Sequence, residues 1–146
     1  MQIRRAGIED IQTVAVLFDA YRMFYKQSSD IKAAENFIGE RLHQNESVIF
    51  IAEDEDKNAV GFTQLYPIFS SVSMRRTLLL NDLYVSEKAR GFGAATLLLD
   101  AAKQHAKDAG CKWLLLQTSN DNFPAQALYE KNGWSKVDDF FYQVNV

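Results

Sequence analysis

The sequence predicts a mixed α/β (α+β) domain, with a mostly antiparallel sheet of six or seven strands flanked by about four helices. Three observations predict it. Two β-branched and aromatic runs, SVIFIAE and AVGFTQLYPI, flank a short acidic turn, as the arms of an antiparallel hairpin do. The run TLLLNDLYV is almost continuously apolar, the mark of a strand covered on both faces. An amphipathic stretch then separates it from another apolar run, CKWLLLQTS, which gives a strand–helix–strand crossover. At 146 residues, the chain is sized for one domain, 1–146.

The elements follow in order. MQIRRA is a short opening strand, and Ile8 to about Tyr25 is a helix with Ile11, Val14, Leu17 and Phe18 on one face. Ile31 to Leu42 is a second helix, with Ala34, Phe37, Ile38 and Leu42 inward. The hairpin arms come next, joined through Glu53-Asp54-Glu55-Asp56, whose spacing is that of a solvated turn and not of a calcium loop. Ser70 to Arg76 is a polar connection to the fourth strand. A long helix runs from about Gly93 to Ala109, with Ala94, Leu98, Ala101 and His105 as its stripe and Gly110 as its stop. CKWLLLQTS is the fifth strand. Pro124 suits the first turn of a last helix, which Gly133 ends, and WSKVDDFFYQVNV supplies one or two closing strands.

Composition narrows the function. A net charge of -3 argues against nucleic acid as the partner, because polyanion binders carry a basic excess. No segment reaches the length of a membrane span, and the N-terminus turns polar at once, so no membrane partner and a cytoplasmic location are expected. The single cysteine, Cys111, precludes an internal disulfide and reads as an inert, buried thiol. No metal site is expected.

The chemistry-bearing stretch lies between the fourth strand and the long helix. Arg90, Gly91 and Gly93 stand where an apolar run gives way to a helix. The first N–H groups of a helix lack intrahelical partners and sit at the positive end of its dipole, so such a turn suits an anion. The glycines leave the main chain bare for close approach. No Gly-Lys-Ser/Thr follows, as a P-loop requires, and Thr96 stands where a dinucleotide turn has its third glycine. On these residues alone, a phosphate cradle and a ligand-free tight turn weigh equally.

Context decides between them. Arg90-Gly91-Phe92-Gly93-Ala94-Ala95 resembles the Arg/Gln-x-x-Gly-x-Gly/Ala loop of the GCN5-related N-acetyltransferases. Asn122, Ala125, Leu128, Tyr129, Glu130, Lys131 and Gly133 match a second element of that family, with Trp134 in place of the usual Phe. IRRAGIEDIQTVAVL resembles its opening strand and helix, so the likeness spans nearly the whole chain. The resemblance implies the family fold, with its sheet splayed between the fourth and fifth strands. It also implies acetyl-CoA as co-substrate, its diphosphate on the N–H groups of Arg90, Gly91, Phe92, Gly93, Ala94 and Ala95. The pantetheine arm would pair like an added strand with Leu83, Tyr84 and Val85, and Asn122, Ala125 and Tyr129 would face it from the last helix.

Acetyl transfer to an amine needs a neutral amine, a polarised carbonyl and a protonated leaving thiolate. A phenol, with a pKa near ~10 against ~8.5 for a thiol, suits the last task, which falls to Tyr129. On spacing alone Tyr129 is a half-buried core tyrosine; the two motifs together favour the acid. Asn122 also has a simpler role as a helix cap. A backbone N–H near Leu83 or Val85 would polarise the carbonyl. Asp82, a carboxylate inside an apolar strand, is either the amine's attractor and base or a structural group holding a loop or a bulge. NDLYV resembles the Glu-Asp-Leu-Tyr/Phe-Val of diamine and small-amine acetyltransferases, with Asn81 where an acid is common. Tyr21, Tyr25, Tyr66 and Phe69 are candidates for the acceptor pocket, and Arg22 for a substrate carboxylate. The expected activity is acetylation of a small-molecule primary amine; a peptide or protein acetyltransferase and a non-catalytic acyl-CoA binder are the alternatives. Homodimers are common in the family, and the tail Phe140-Phe141-Tyr142 is the candidate interface.

Overall fold

The hairpin around the acidic turn forms as β2 (Val48–Glu53) and β3 (Ala59–Ser70), with Asp54 accepting the N–H groups of Asp56 and Asn58 at 2.9 Å. The computed structural model describes residues 1–146, and the other elements follow the sequence order. They are β1 (Gln2–Arg5), α1 (Ile11–Phe24) after a 3₁₀ turn, α2 (Ile31–His43), β4 (Arg75–Val85), α3 (Ala94–Asp108), β5 (Leu114–Leu116) and α4 (Phe123–Lys131). The strands line up as β1-β2-β3-β4-β5, antiparallel throughout except for the β4–β5 pair, which the α3 crossover makes parallel.

Alternation along β2 divides the core between the two faces of the sheet. Ile49 and Ile51 pack with Val14, Leu17, Ile38 and Phe62 beneath α1 and α2. Val48 and Phe50 turn the other way, toward Leu65, Leu78, Leu80, Leu99 and Ala102 beneath α3. Arg4 fastens the first corner: its guanidinium donates to both Asp10 oxygens (2.9 and 2.8 Å) and through Nε to Glu53 (2.6 Å). That contact holds the Asp10 carboxyl below the usual range.

Two expectations need correction. The sheet has five strands, not six or seven, because residues 134–146 form no strand and β5 is three residues long. No strand of this chain lies beyond β5 to extend its ladder. The buried stripe of α3 is Ala94, Leu98, Leu99, Ala102 and Ala106, and Ala101 and His105 are only half-buried at its margin. His105 rests against the Phe50 ring, centroids 5.8 Å apart, as the edge residue expected.

The feature that positions the site is a bulge in β4. Gln64 pairs with Asp82 but Leu65 with Leu80, so Asn81 is an extra residue in the ladder. The extra residue flips the parity of the strand. Before it, the Leu78 N–H points to β5 and bonds the Trp113 carbonyl (3.2 Å); after it, the Ser86 N–H points to β3 and bonds the Val60 carbonyl (2.8 Å). By alternation, the main-chain polar groups of Leu83 and Val85 face the β5 side. There the β4–β5 pairing has already ended, at Leu80↔Leu116. The expected splay is present.

Gly61 fixes how closely β3 can approach this edge. A Cβ there would lie 2.7 Å from the Tyr84 carbonyl oxygen, closer than the two strands permit. Gly61→Ala is expected to cost about 1–3 kcal/mol through overpacking, read as a lowered Tm in thermal unfolding. An unchanged Tm would show that the strands separate without penalty.

Candidate functional site

The splay opens a cleft of about 490 Å³. The unpaired β4 edge (Leu83, Tyr84, Val85) forms one wall, and the end of β5 with α4 (Leu116, Gln117, Asn122, Ala125, Leu128, Tyr129) forms the other. The turn into α3 closes one end, and Tyr21, Phe24 and Tyr25 from the end of α1 stand over the mouth.

The turn has the geometry of an anion cradle. Gly91 and Gly93 adopt left-handed φ of +84° and +85°, conformations that favour glycine over any residue with a side chain. Gly93 is the N-cap of α3, so the N–H groups of Ala94, Ala95 and Thr96 open the helix beside the cleft. A Cβ on either glycine would enter open space, so the bare backbone is not forced by packing within the chain. Arg90 is held against the strand end, its Nε donating to the Val85 carbonyl (3.1 Å) and its guanidinium 5.7 Å from the centre of the Phe24 ring.

Tyr129 projects from α4 into the cleft and is half-buried, its ring 6.2 Å from that of Trp134. Burial, and then proximity to Tyr25, push the phenol above its usual pKa, so it stays protonated at neutral pH. Asn122 caps α4, accepting the Ala125 N–H at 3.3 Å, and also lines the cleft.

Asp82 lies behind this cleft in an adjoining cavity of about 310 Å³ that it shares with Tyr21, Arg22, Tyr25, Tyr66 and Asn81. Its side chain is nearly inaccessible (3%) and receives hydrogen bonds from Gln64 Nε2 (2.6 Å) and Asn81 Nδ2 (3.1 Å). Ser47 in turn donates to Gln64 (2.9 Å), so the contact is supported from below. Burial raises the Asp82 carboxyl above the usual carboxylate range, opposed by hydrogen bonds from Gln64, Asn81 and Tyr21. Burial and the Asp82 charge raise the Tyr21 phenol and push Tyr66 up to about 12. Asp82 thus sits at the bulge and also lines the adjoining cavity.

Of the residues singled out from sequence, Leu83, Tyr84, Val85, Arg90, Gly91, Gly93, Ala94, Ala95, Asn122, Ala125, Tyr129, Tyr21 and Tyr25 meet around the main cleft, and Asp82 and Tyr66 in the adjoining one. Phe92 lines neither, and its side chain is 74% exposed; it can offer only its main chain. Phe69 is exposed and stacks with Arg76, away from both cavities. Sequence reasoning missed Asp19. It is buried in α1 and binds Ser29 Oγ (2.6 Å) and the Asp30 N–H (2.7 Å), pinning the loop between α1 and α2 beside the adjoining cavity. An aspartate among Phe18, Ala20 and Tyr21 was its only signal. Gln117 and Thr118 in the cleft wall carried none.

Comparison with known proteins shows the family of the chain. The Acetyltransferase (GNAT) family pattern matches residues 14–134, and the chain belongs to that family. The protein named "Uncharacterized N-acetyltransferase YhfO" of Bacillus subtilis (strain 168) is 50% identical over all of this chain and 98% of its own. A "Probable acetyltransferase" of Haemophilus influenzae is 35% identical over 70% of each chain. The "Crystal structure of a probable acetyltransferase" superimposes with a TM-score of 0.94 at 40% identity, covering all of this chain and 98% of that one. The protein is an acyltransferase of the acetyl-transferring kind, in a family that generally uses acetyl-CoA. No helix is long and apolar enough to cross a membrane.

Gly93→Ala places a side chain at φ +85° and a methyl group in the cradle. It is expected to weaken coenzyme A binding about tenfold or more in calorimetry, with a stability loss of only about 1 kcal/mol. Unchanged affinity would remove the glycine turn from the binding site.

Proposed function

We propose that the chain transfers an acetyl group from acetyl-CoA to the primary amine of a small molecule by direct attack. One observation carries the reading. The bulge at Asn81 turns the unpaired amides of Leu83 and Val85 into the same cleft that holds the glycine turn at one end and the Tyr129 phenol in its far wall. A donor with a diphosphate, an amide-bearing arm and a reactive carbonyl finds a matching group at each station.

Acetyl-CoA supplies the activated carbonyl and the thiolate leaving group. Amides from Arg90 to Ala95, with the Arg90 guanidinium, bind the diphosphate. The Leu83–Val85 edge orients the arm as an added strand would be, and one of its N–H groups polarises the carbonyl. The amine nitrogen attacks the carbonyl carbon, the N–C bond forms and the C–S bond breaks. Tyr129 gives its proton to the departing sulfur, and Asp82, directly or through water, takes one from the nitrogen. The aromatic residues Tyr21, Tyr25 and Tyr66 around a carboxylate suit a cationic amine, by cation–π attraction and charge. Arg22 in the same cavity favours an acceptor that also carries a carboxylate. The modest volume of that cavity, about 310 Å³, favours a small acceptor over an extended peptide.

Tyr129→Phe is expected to lower kcat by about 10²–10⁴-fold with little change in the KM for acetyl-CoA, measured by thiol release. Undiminished kcat would exclude the phenol as proton donor. Asp82→Asn is expected to remove one ascending limb of kcat/KM against pH. Burial raises this carboxyl, so the base becomes competent only as pH climbs through a value above the ordinary carboxylate range. An unaltered pH profile would leave Asp82 as a holder of the bulge.

A further inference from the structure

Asp82 is one of several buried polar groups at the β4 bulge. Gln64, the β3 residue paired with it, is fully buried in the middle of the sheet. A side-chain amide there is costly unless both of its ends find partners. Nε2 donates to Asp82 Oδ2 (2.6 Å), and Oε1 accepts the hydroxyl of Ser47, between α2 and β2 (2.9 Å). Thr63, its neighbour in β3, is also fully buried and donates to the Asp82 main-chain carbonyl (2.8 Å). Adjacent β3 residues thus hold the carboxyl and the carbonyl of a single residue.

The direction of the chain from Ser47 through Gln64 to Asp82 matters. A turned-over amide would set its oxygen against Asp82 Oδ2, two acceptors with no proton between them while the carboxyl is ionised. The observed orientation gives the carboxylate a charge-assisted donor, the stronger kind of hydrogen bond. It also divides the two oxygens. Oδ2 is taken by Gln64 inside the sheet, and Oδ1 meets Asn81 (3.1 Å), which lines both cavities. An apolar side chain of the same length would fill the space of Gln64, so packing does not call for the amide.

We infer that Gln64, oriented by Ser47, is a positioning residue for the base: it fixes Asp82 with Oδ2 toward the sheet interior and Oδ1 toward the acceptor nitrogen. The inference rests on the reading of Asp82 as that base. As the nitrogen bonds the acetyl carbon, its proton passes to Oδ1, directly or through water, and Gln64 gives up none. The titratable groups facing Asp82 are Tyr21, Arg22 and Tyr25 from α1, Tyr66 from β3 and, across the main cleft, Tyr129 from α4. Arg41 of α2 and Glu46 act on Tyr66 from beyond it. The phenols of Tyr21, Tyr66 and Tyr129 are all pushed above their ordinary value, so they stay protonated while the carboxyl titrates.

The test reads the carboxyl itself as well as turnover, in the full chain. With isotope-labelled aspartate carboxyls followed by NMR, the Asp82 signal is the one missing from Asp82→Asn. Gln64→Met keeps the length of the side chain and removes the amide. The midpoint of the Asp82 titration is expected to rise by about one pH unit or more, because a donor to the charged form is lost. The ascending limb of kcat/KM is expected to move to higher pH with it, while the KM for acetyl-CoA holds. Turnover is read by thiol release with the fastest amine among putrescine, histamine, phenethylamine and the common amino acids. The carboxyl titration needs no acceptor, so it decides the hold of Gln64 on Asp82 whichever amine is turned over. Ser47→Ala, the milder change, is expected to give a smaller shift of the same sign, and it carries the test if Gln64→Met does not fold. A lowered Tm with midpoint and limb unmoved makes Gln64 a packing residue and overturns the inference. A limb lost in Asp82→Asn but unmoved in Gln64→Met removes the role of Gln64 alone. A limb that survives Asp82→Asn, or stays in place while the midpoint moves, overturns the reading of Asp82 as base, and the positioning role with it.

Discussion

The site depends on one irregularity, the extra residue at Asn81. Without it, β4 would keep a single parity and direct the main-chain groups of Asp82 and Tyr84 toward the cleft. With it, Leu83 and Val85 face the gap, at the level where β5 has already parted from β4. Unpaired main-chain groups on an interior strand are costly unless water or a ligand meets them. The fold meets that constraint by leaving the gap open as a cleft that water or a ligand can fill. The same bulge puts Asp82 deep in the sheet, where Gln64 and Asn81 hold it, and so links the cleft-facing edge of β4 to the adjoining cavity.

The other parts of the site are supports for that edge. Gly61 lets β3 lie tight against Tyr84, and Arg90 holds the Val85 carbonyl. The left-handed glycines carry the chain from the strand end into α3 without covering its first amides. Tyr129 reaches the cleft because Asn122 sets where α4 begins. Arg4, Asp10 and Glu53 lock the far corner of the sheet, and Asp19 pins the loop that flanks the acceptor cavity. Each of these carboxylates is buried, and each has donors that repay its desolvation.

Much of this was legible in the sequence where local chemistry and periodicity agree. The hairpin arms, the four helices and the glycine turn depend on neighbours a few residues away. The family motifs marked Tyr129 and the cradle, whose spacing alone is ambiguous. The bulge was not legible, because Asn81 looks like any polar residue in a strand and only the register against Gln64 and Leu65 reveals it. Asp19 escaped for the same reason: its partners are ten and eleven residues away and across a loop. Phe69 and Phe92 read as site residues because aromatics near a motif are conspicuous, but strand direction and turn geometry send both side chains to solvent. The closing strands failed for a different reason. WSKVDDFFYQVNV has strand composition, but a strand also needs a free edge to pair with, and within one chain the tail does not reach one.

The central claim is that the cleft-facing amides of β4 and of the glycine turn hold the donor. Backbone amide spectra of the isotope-labelled chain, recorded while coenzyme A is added, test it most directly. The account predicts that the Leu83 and Val85 resonances and those from Gly91 to Ala95 shift together at one affinity, while Tyr84, bonded toward β3, moves far less. Shifts confined to another part of the molecule, or Tyr84 responding in place of its two neighbours, would contradict it.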